Sequence, residues 1–252
     1  MRLQNKVAIV TGSGRGIGKA VALRFSREGA AVVVNDMRED AVTAVVAEIQ
    51  SEGGRAAGCA GAIGGKEMAN RLVDTALSAF GDLDILVNNA GTANTGKLHE
   101  YSEEDFDAEI RVNLRAPFLI TQAAVARVFM QKNYGKIVNV TSHAGFRGAP
   151  GMTSYTASKM GLLGMTLGWA NELLKHRITV NCVAPSAWTD MMQKLPEKRR
   201  ETLRESLSKG SVLQRLPLPE DVADSFVFLA SDESAFLTGQ ILQASGQPLH
   251  AL

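Results

Sequence analysis

Short, continuous apolar runs rich in β-branched residues recur along this chain, with helical patterns between them. Val7-Ala8-Ile9-Val10, Ala31-Val32-Val33-Val34, Ile85-Leu86-Val87, Ile137-Val138-Asn139-Val140 and Thr179-Val180-Asn181-Cys182-Val183 are the clearest. They are β-branched and mostly continuous rather than alternating. Each therefore needs cover on both faces, as in a parallel sheet between two helical layers. Val42, Val45, Val46 and Ile49 fall at helical spacing after the second run, and Gly53-Gly54 ends that helix. A later helix opens at Pro219 and aligns Val222, Phe226 and Leu229 on one face. Such strand–helix alternation predicts parallel strands joined by right-handed crossovers. With no linker, repeat or low-complexity tract, the reading is one α/β domain over residues 1–252, a doubly wound sheet with helices on both faces.

At 252 residues and 45% hydrophobic, the chain can bury a large core. Its 27 Lys and Arg against 26 Asp and Glu leave a net charge of +1, which calls for neither nucleic acid nor a membrane surface as partner. Cys59 and Cys182 make no CxxC or other ligand-spaced pattern. That argues against a disulfide framework or a structural zinc site and leaves them as small buried hydrophobes, with no metal expected. The amino terminus lacks the apolar segment of a signal peptide, and no stretch approaches the ~18 apolar residues of a membrane span. A cytoplasmic location is expected.

Thr11-Gly12-Ser13-Gly14-Arg15-Gly16-Ile17-Gly18 lies between the first strand and the first helix. Glycines there let the backbone approach a pyrophosphate, and the helix amino terminus that follows offers free N–H groups and a positive dipole end. The P-loop pattern fails, because Ser13 stands where its first glycine is needed and Ala20 where its hydroxyl is needed. The G-x-G-x-x-G fingerprint fails as well, since Ile17 falls on its last glycine. What fits is Thr-Gly-x-x-x-Gly-x-Gly, a pattern that alone also serves as an ordinary glycine-rich connection. Asp36 ends the second strand, about 20 residues further on, where an acid accepts hydrogen bonds from the adenosine ribose hydroxyls. A solvated strand-end residue is the alternative. As a ribose ligand, Asp36 would repel a 2′-phosphate ~4 Å away by roughly 1 kcal/mol in water and ~4 kcal/mol near a protein surface. NAD is therefore expected over NADP, with Arg15 and Arg38 as nearby cations that soften the preference.

Tyr155 and Lys159 are four residues apart, so on a helix they share a face. A free phenol, with a pKa of ~10, is a poor acid or base at neutral pH. A neighbouring ammonium and the positive nicotinamide of NAD stabilise the phenolate, lowering that value toward the working range. Ser142 can hydrogen-bond a substrate oxygen and orient it. These residues form an ordered set with Thr11-Gly12-x-x-x-Gly16-x-Gly18, Asn88-Asn89-Ala90-Gly91, Asn113, Tyr155-Thr156-Ala157-Ser158-Lys159, Pro219-Glu220-Asp221-Val222-Ala223 and Leu237-Thr238-Gly239-Gln240. Through that set the chain resembles the short-chain dehydrogenase/reductases over essentially its whole length, and is similar to their small cytoplasmic NAD-type members, the 3-oxoacyl-carrier reductases and secondary alcohol dehydrogenases.

The resemblance implies a single-domain Rossmann-type sheet of about seven parallel strands, and a homotetramer. It implies that Asn113, Ser142, Tyr155 and Lys159 are catalytic. Tyr155 would be the general acid/base, Lys159 would reach the nicotinamide ribose, and Asn113 would hold a water linking Lys159 to solvent. It puts cofactor contacts on Gly12, Arg15, Gly16, Ile17, Gly18, Asp36, Met37, Ala62, Asn89, Ala90, Gly91, Tyr155, Lys159, Pro185, Ser186, Trp188 and Thr189. The implied reaction moves a hydride between NAD(H) and a secondary alcohol or its ketone. An epimerase or dehydratase and a non-catalytic NAD-binding sensor or scaffold are the alternatives; intact Ser142, Tyr155 and Lys159 argue against the last.

Three segments depart from the family pattern. Gly61-Ala62 replaces the usual Asp-Val near the adenine, Pro185-Ser186-Ala187-Trp188-Thr189 replaces Pro-Gly-x-x-x-Thr, and Ala244-Ser245-Gly246-Gln247 replaces Val-Asp-Gly-Gly. Residues 189–215 are expected to form a substrate lid, with Met191, Met192 and Leu195 suited to an apolar group. Substrate contacts are expected from Ser142, His143, Phe146, Tyr155, Trp188 and Met192. From Lys194 to Arg215 there are seven Lys or Arg and three Glu. This basic stretch suits a phosphate-bearing coenzyme A or carrier-protein thioester, or is simply a solvated helix face. Gly161, Gly164 and Gly168 form a stripe that either permits close helix approach between subunits or packs on the sheet.

Overall fold

The computed structural model of the chain describes residues 1–193 and 197–247. Leu195 of the expected lid lies outside them. The strands are β1 (Val7–Val10), β2 (Ala31–Val34), β3 (Arg55–Gly58), β4 (Ile85–Asn88), β5 (Gly135–Val140), β6 (Ile178–Pro185) and β7 (Ile241–Ala244). They form one sheet in the order β3-β2-β1-β4-β5-β6-β7, and every pairing is parallel. The chain belongs to the doubly wound α/β class, as its alternating runs predict.

The helices are α1 (Gly16–Arg27), α2 (Glu39–Ser51), α3 (Lys66–Phe80), α4 (Glu103–Ile110), α5 (Ala116–Ala124), α6 (Met130–Lys132), α7 (His143–Arg147), α8 (Thr153–Glu172), α9 (Asp190–Gln193), α10 (Glu197–Gly210) and α11 (Pro219–Ala230). The path from α4 to α6 is one long helix interrupted by two π-type stretches, Arg111–Arg115 and Val125–Phe129. Alternate residues of β1 enter opposite layers. Ala8 and Val10 pack with Val21, Phe25 and Phe226, while Val7 and Ile9 pack with Leu72, Ile120 and Phe129. Both faces are thus buried, which is why the run carries no polar alternation.

From β1 the chain winds outward to β2 and β3, then returns to β4 on the other side of β1. This reversal opens a crevice beyond the carboxyl ends of β1 and β4, where open α/β sheets bind their ligands. The glycine turn and the Asn88-Asn89-Ala90-Gly91 segment meet there. On α8, Gly164 and Gly168 face open space and Gly161 faces Leu114, so the stripe does not pack on the sheet. That alternative is ruled out.

Candidate active site

The glycine turn is fixed by its neighbours. Gly12 and Gly16 have φ of +62° and +56°, a region that L side chains rarely adopt. A Cβ on Gly18 would sit 2.2 Å from the Gly12 carbonyl oxygen, so only glycine lets α1 begin so close to the turn. Thr11 Oγ1 accepts hydrogen bonds from the Asn89 and Ala90 amides, each at 3.1 Å. Asn89 Nδ2 donates to the carbonyls of Thr11 (2.8 Å) and Gly12 (3.1 Å). The side-chain amide of Asn89 is therefore committed to holding the turn itself.

No side chain caps α1, whose N-cap is Arg15, and no acid stands in its first turn. These free N–H groups can donate to an anion, so a dinucleotide pyrophosphate fits the cradle. Ile17 is half-buried and anchors the helix start to the core. Asp36 lies against the turn, with Oδ2 2.8 Å from where a Gly14 Cβ would be, and Oδ1 accepts from the Arg38 amide at 3.1 Å. Met37 and Ala62 are exposed beyond it. Sequence reasoning missed Asn35, which is buried and donates to the carbonyls of Cys59 (2.9 Å) and Gly61 (3.2 Å). It shapes the segment where the family's Asp-Val is missing. A polar residue closing an apolar strand was the available signal.

Across the crevice, α8 carries Tyr155 and Lys159 on one face. Ser142 caps α7, accepting from the Ala144 amide at 3.2 Å, and lies close enough to the Tyr155 phenol to oppose its upward shift. Lys159 is buried, donates to the Val140 carbonyl at 2.8 Å, and holds Nζ 5.8 Å from the Tyr155 ring centroid. A Cβ on Gly91 would sit 3.3 Å from both Lys159 Nζ and Asn113 Oδ1, so these groups converge beside that glycine.

The protonation balance differs from the sequence expectation. Burial pushes the Tyr155 phenol up, neighbouring Ser142 opposes this, and the Glu109 carboxylate adds to it. Burial also pulls the Lys159 ammonium down to about 8, against Cys182 and Glu109, which raise it. The expected lowering of the phenol by Lys159 is not a property of the chain alone. Desolvation is the largest influence on the phenol, and it also draws the amine toward neutrality.

Asn113 lies in the first π-type stretch, a feature that often marks functional positions. Its side chain clamps Thr92, accepting from the amide (2.9 Å) and donating to the carbonyl (2.8 Å), and donates to Ser158 Oγ at 3.1 Å. Its side-chain partners are thus Thr92 and Ser158, and no bond joins it to Lys159. Pro185 at the end of β6 and Ser186 just beyond it are half-buried, and the Ser186 amide donates to Ala244 at 2.8 Å. The Trp188 amide donates to Pro217 at 2.8 Å. Thr189 reaches over the glycine turn, its Cγ2 3.8 Å from where a Gly16 Cβ would be, and Asp190 stands 3.6 Å from the Arg15 guanidinium. The Met192 amide bonds Thr189 at 3.0 Å, and Phe146 is half-exposed on α7. His143 Nε2 is buried without a hydrogen-bond partner. Burial and then Arg147 hold its imidazole below its ordinary value, against the Ala184 backbone, which raises it. Among the described residues, no group of three His, Cys, Asp or Glu side chains has the geometry for a metal, and no helix is long and apolar enough to cross a membrane.

A family model described as enoyl-(acyl carrier protein) reductase matches residues 12–246. A subunit of (2S)-[(R)-hydroxy(phenyl)methyl]succinyl-CoA dehydrogenase from Thauera aromatica is 44% identical over 247 residues, covering 98% of this chain and 97% of its own. The chain belongs to the short-chain dehydrogenase/reductase family. Another relative, the 3-oxoacyl-[acyl-carrier-protein] reductase of Thermotoga maritima, is 42% identical over 98% of both chains. A crystal structure from Agrobacterium tumefaciens, described as a candidate gluconate dehydrogenase, superposes with a TM-score of 0.91 at 29% identity, covering 99% of this chain and 98% of its own. As a short-chain dehydrogenase/reductase, the protein is an oxidoreductase acting between CH–OH and keto groups with a nicotinamide cofactor.

Proposed function

We propose that the protein interconverts a 3-hydroxyacyl and a 3-oxoacyl thioester, with NAD(H) preferred over NADP(H). The observation that carries the chemistry is the Tyr155 phenol beside Ser142 and one helical turn from buried Lys159, opposite an uncapped α1. A nicotinamide dinucleotide bound on that turn supplies or accepts the hydride. Gly12, Gly16, Ile17 and Gly18 present backbone to its phosphates, Arg15 and Thr189 border them, and Asp36 takes the adenosine ribose with Met37 and Ala62 beside it. Asn89, Ala90, Gly91, Pro185, Ser186 and Trp188 form the walls of the same cleft.

In reduction, Ser142 holds the substrate carbonyl oxygen and Tyr155 gives it a proton; in oxidation, Tyr155 takes the proton from the hydroxyl. The phenol held up by burial stays protonated at neutral pH, which favours its use as an acid. Lys159, drawn toward neutrality, exchanges a proton readily near pH 8. Asn113 keeps the Thr92 segment against this centre, and its role in leading a water to Lys159 belongs to the same proposal. His143, Phe146 and Met192 are taken as substrate contacts.

Two observations support a thioester. Both relatives above are named for coenzyme A or carrier-protein substrates. Helix α10 exposes Lys198, Arg199, Arg204 and Lys209 within the 189–215 lid, a surface suited to phosphates. We read the chain as one cytoplasmic domain that assembles as a homotetramer, supported by exposed Phe118 on α5 and by Met160, Leu167 and the open stripe at Gly164 and Gly168 on α8. Comparing kcat/KM for a 3-oxoacyl-coenzyme A with that for the matching free 3-oxo ester tests the substrate class. At least a tenfold preference for the coenzyme A thioester is expected, and equal values would end the thioester reading.

A further inference from the structure

The mechanism leaves unused the most deeply buried carboxylate among the described residues. Glu109 is fully buried and lies one helical turn before Asn113. Its Oε2 accepts from the Tyr101 hydroxyl at 2.9 Å and from Ser154 Oγ, and these two hydroxyls are 2.7 Å apart. Its Oε1 faces the Asn94 amide at 3.4 Å. Ser154 is fully buried as well.

These contacts repeat a pattern. Glu109 meets Ser154 as Asn113 meets Ser158, so two residues four apart on the α4 path face two residues four apart on α8. Tyr155 and Lys159 each follow one of those serines in sequence. The Asn113 rung fixes Thr92, at the start of the segment after β4, and the Glu109 rung fixes Asn94 and Tyr101 further along it.

We infer that Glu109 is a positioning residue of this active site: through Ser154 and Tyr101 it locks the first turn of α8, and with it Tyr155, to the 92–101 segment. The inference rests on Tyr155 being the general acid/base. A buried charge is retained at such a place only when its hydrogen bonds are satisfied, and removing one partner of such a network costs more than its share. Glu109 also acts at a distance. The charged and titratable groups around it are Tyr101 on the segment, Asp105 on α4, Tyr155 and Lys159 on α8, and Cys182 of β6 beside Lys159. Its negative charge holds the Tyr155 phenol up, so neutralising it lowers that phenol.

The test is the pH profile of kcat/KM for Glu109→Gln, with NADH affinity measured alongside. The limb reporting the phenol is expected to move to lower pH. At the wild-type optimum kcat should fall about tenfold, with NADH affinity within a factor of two. A purely structural residue would lower activity without moving the limb. If Glu109→Gln does not fold, Ser154→Ala breaks the same rung without touching the charge, and a tenfold loss in kcat at unchanged NADH affinity is expected. Glu109→Gln with wild-type kcat and an unmoved limb, or Ser154→Ala with wild-type kcat, overturns the inference. Tyr155→Phe separates this from the function reading: if it stays active, that reading fails; if it is dead while the Glu109 and Ser154 variants behave as wild type, only the present inference fails.

Discussion

Replacing Asp36 with Ser tests how the protein chooses its dinucleotide. The Asp36 carboxylate is half-exposed, lies against Gly14, and is oriented by the Arg38 amide at 3.1 Å. A 2′-phosphate on the adenosine ribose would come within ~4 Å of it, where two unit charges repel by roughly 1 kcal/mol in water and ~4 kcal/mol near a protein surface. Half-exposure puts the working value between these limits, at about 2 kcal/mol, or roughly thirtyfold. Serine removes the charge but keeps a hydroxyl. The ratio of kcat/KM for NADPH to that for NADH should therefore rise by about thirtyfold, part of it from weaker NADH use. The measurement follows NADH and NADPH oxidation on one substrate at low and at high salt. Because the effect is coulombic at a half-exposed site, the wild-type preference should shrink at high salt. An unchanged ratio in Asp36→Ser, or a wild type that prefers NADPH, would refute this account of the pocket.

The other predictions concern stability and the turn. Lys159 has a folded-state pKa lowered from 10.5 to about 8, so folding is penalised wherever the group is protonated in both states. The penalty is full below pH 8 and fades as pH rises toward 10.5. Lys159→Met should thus be inactive yet more stable at pH 7, by about 2 kcal/mol once the lost Val140 hydrogen bond is counted, with the gain shrinking toward pH 10 in thermal melts. Gly18→Ala forces a Cβ to within 2.2 Å of the Gly12 carbonyl and 2.4 Å of Asn89 Nδ2, so a loss of about 2 kcal/mol in denaturant titration and at least tenfold weaker NADH binding are expected.

The sequence made the interior of the sheet legible and its borders much less so. β1, β2, β4, β5 and β6 are buried along nearly their whole length, and their apolar runs say as much. The edge strands β3 and β7 carry exposed positions such as Arg55 and Ile241, so no comparable run marks them. Tyr155, Lys159 and Ser142 could be read because four-residue spacing and order along the chain survive without coordinates. Glu109 could not. It closes an acidic stretch from Glu103 that reads as a solvated helix face, and nothing in that stretch announces the π-type turn that follows. The direction of the Tyr155 shift was hidden for the same reason. Proximity to an ammonium shows in the spacing, whereas desolvation depends on everything packed around the phenol.

Single-turnover and steady-state rates of Tyr155→Phe, measured beside its affinity for NADH, test the central claim most directly. The account predicts a fall in turnover of at least a thousandfold with NADH bound as in the wild type, because only the proton donor is gone. A variant that reduces its substrate at the wild-type rate would contradict it.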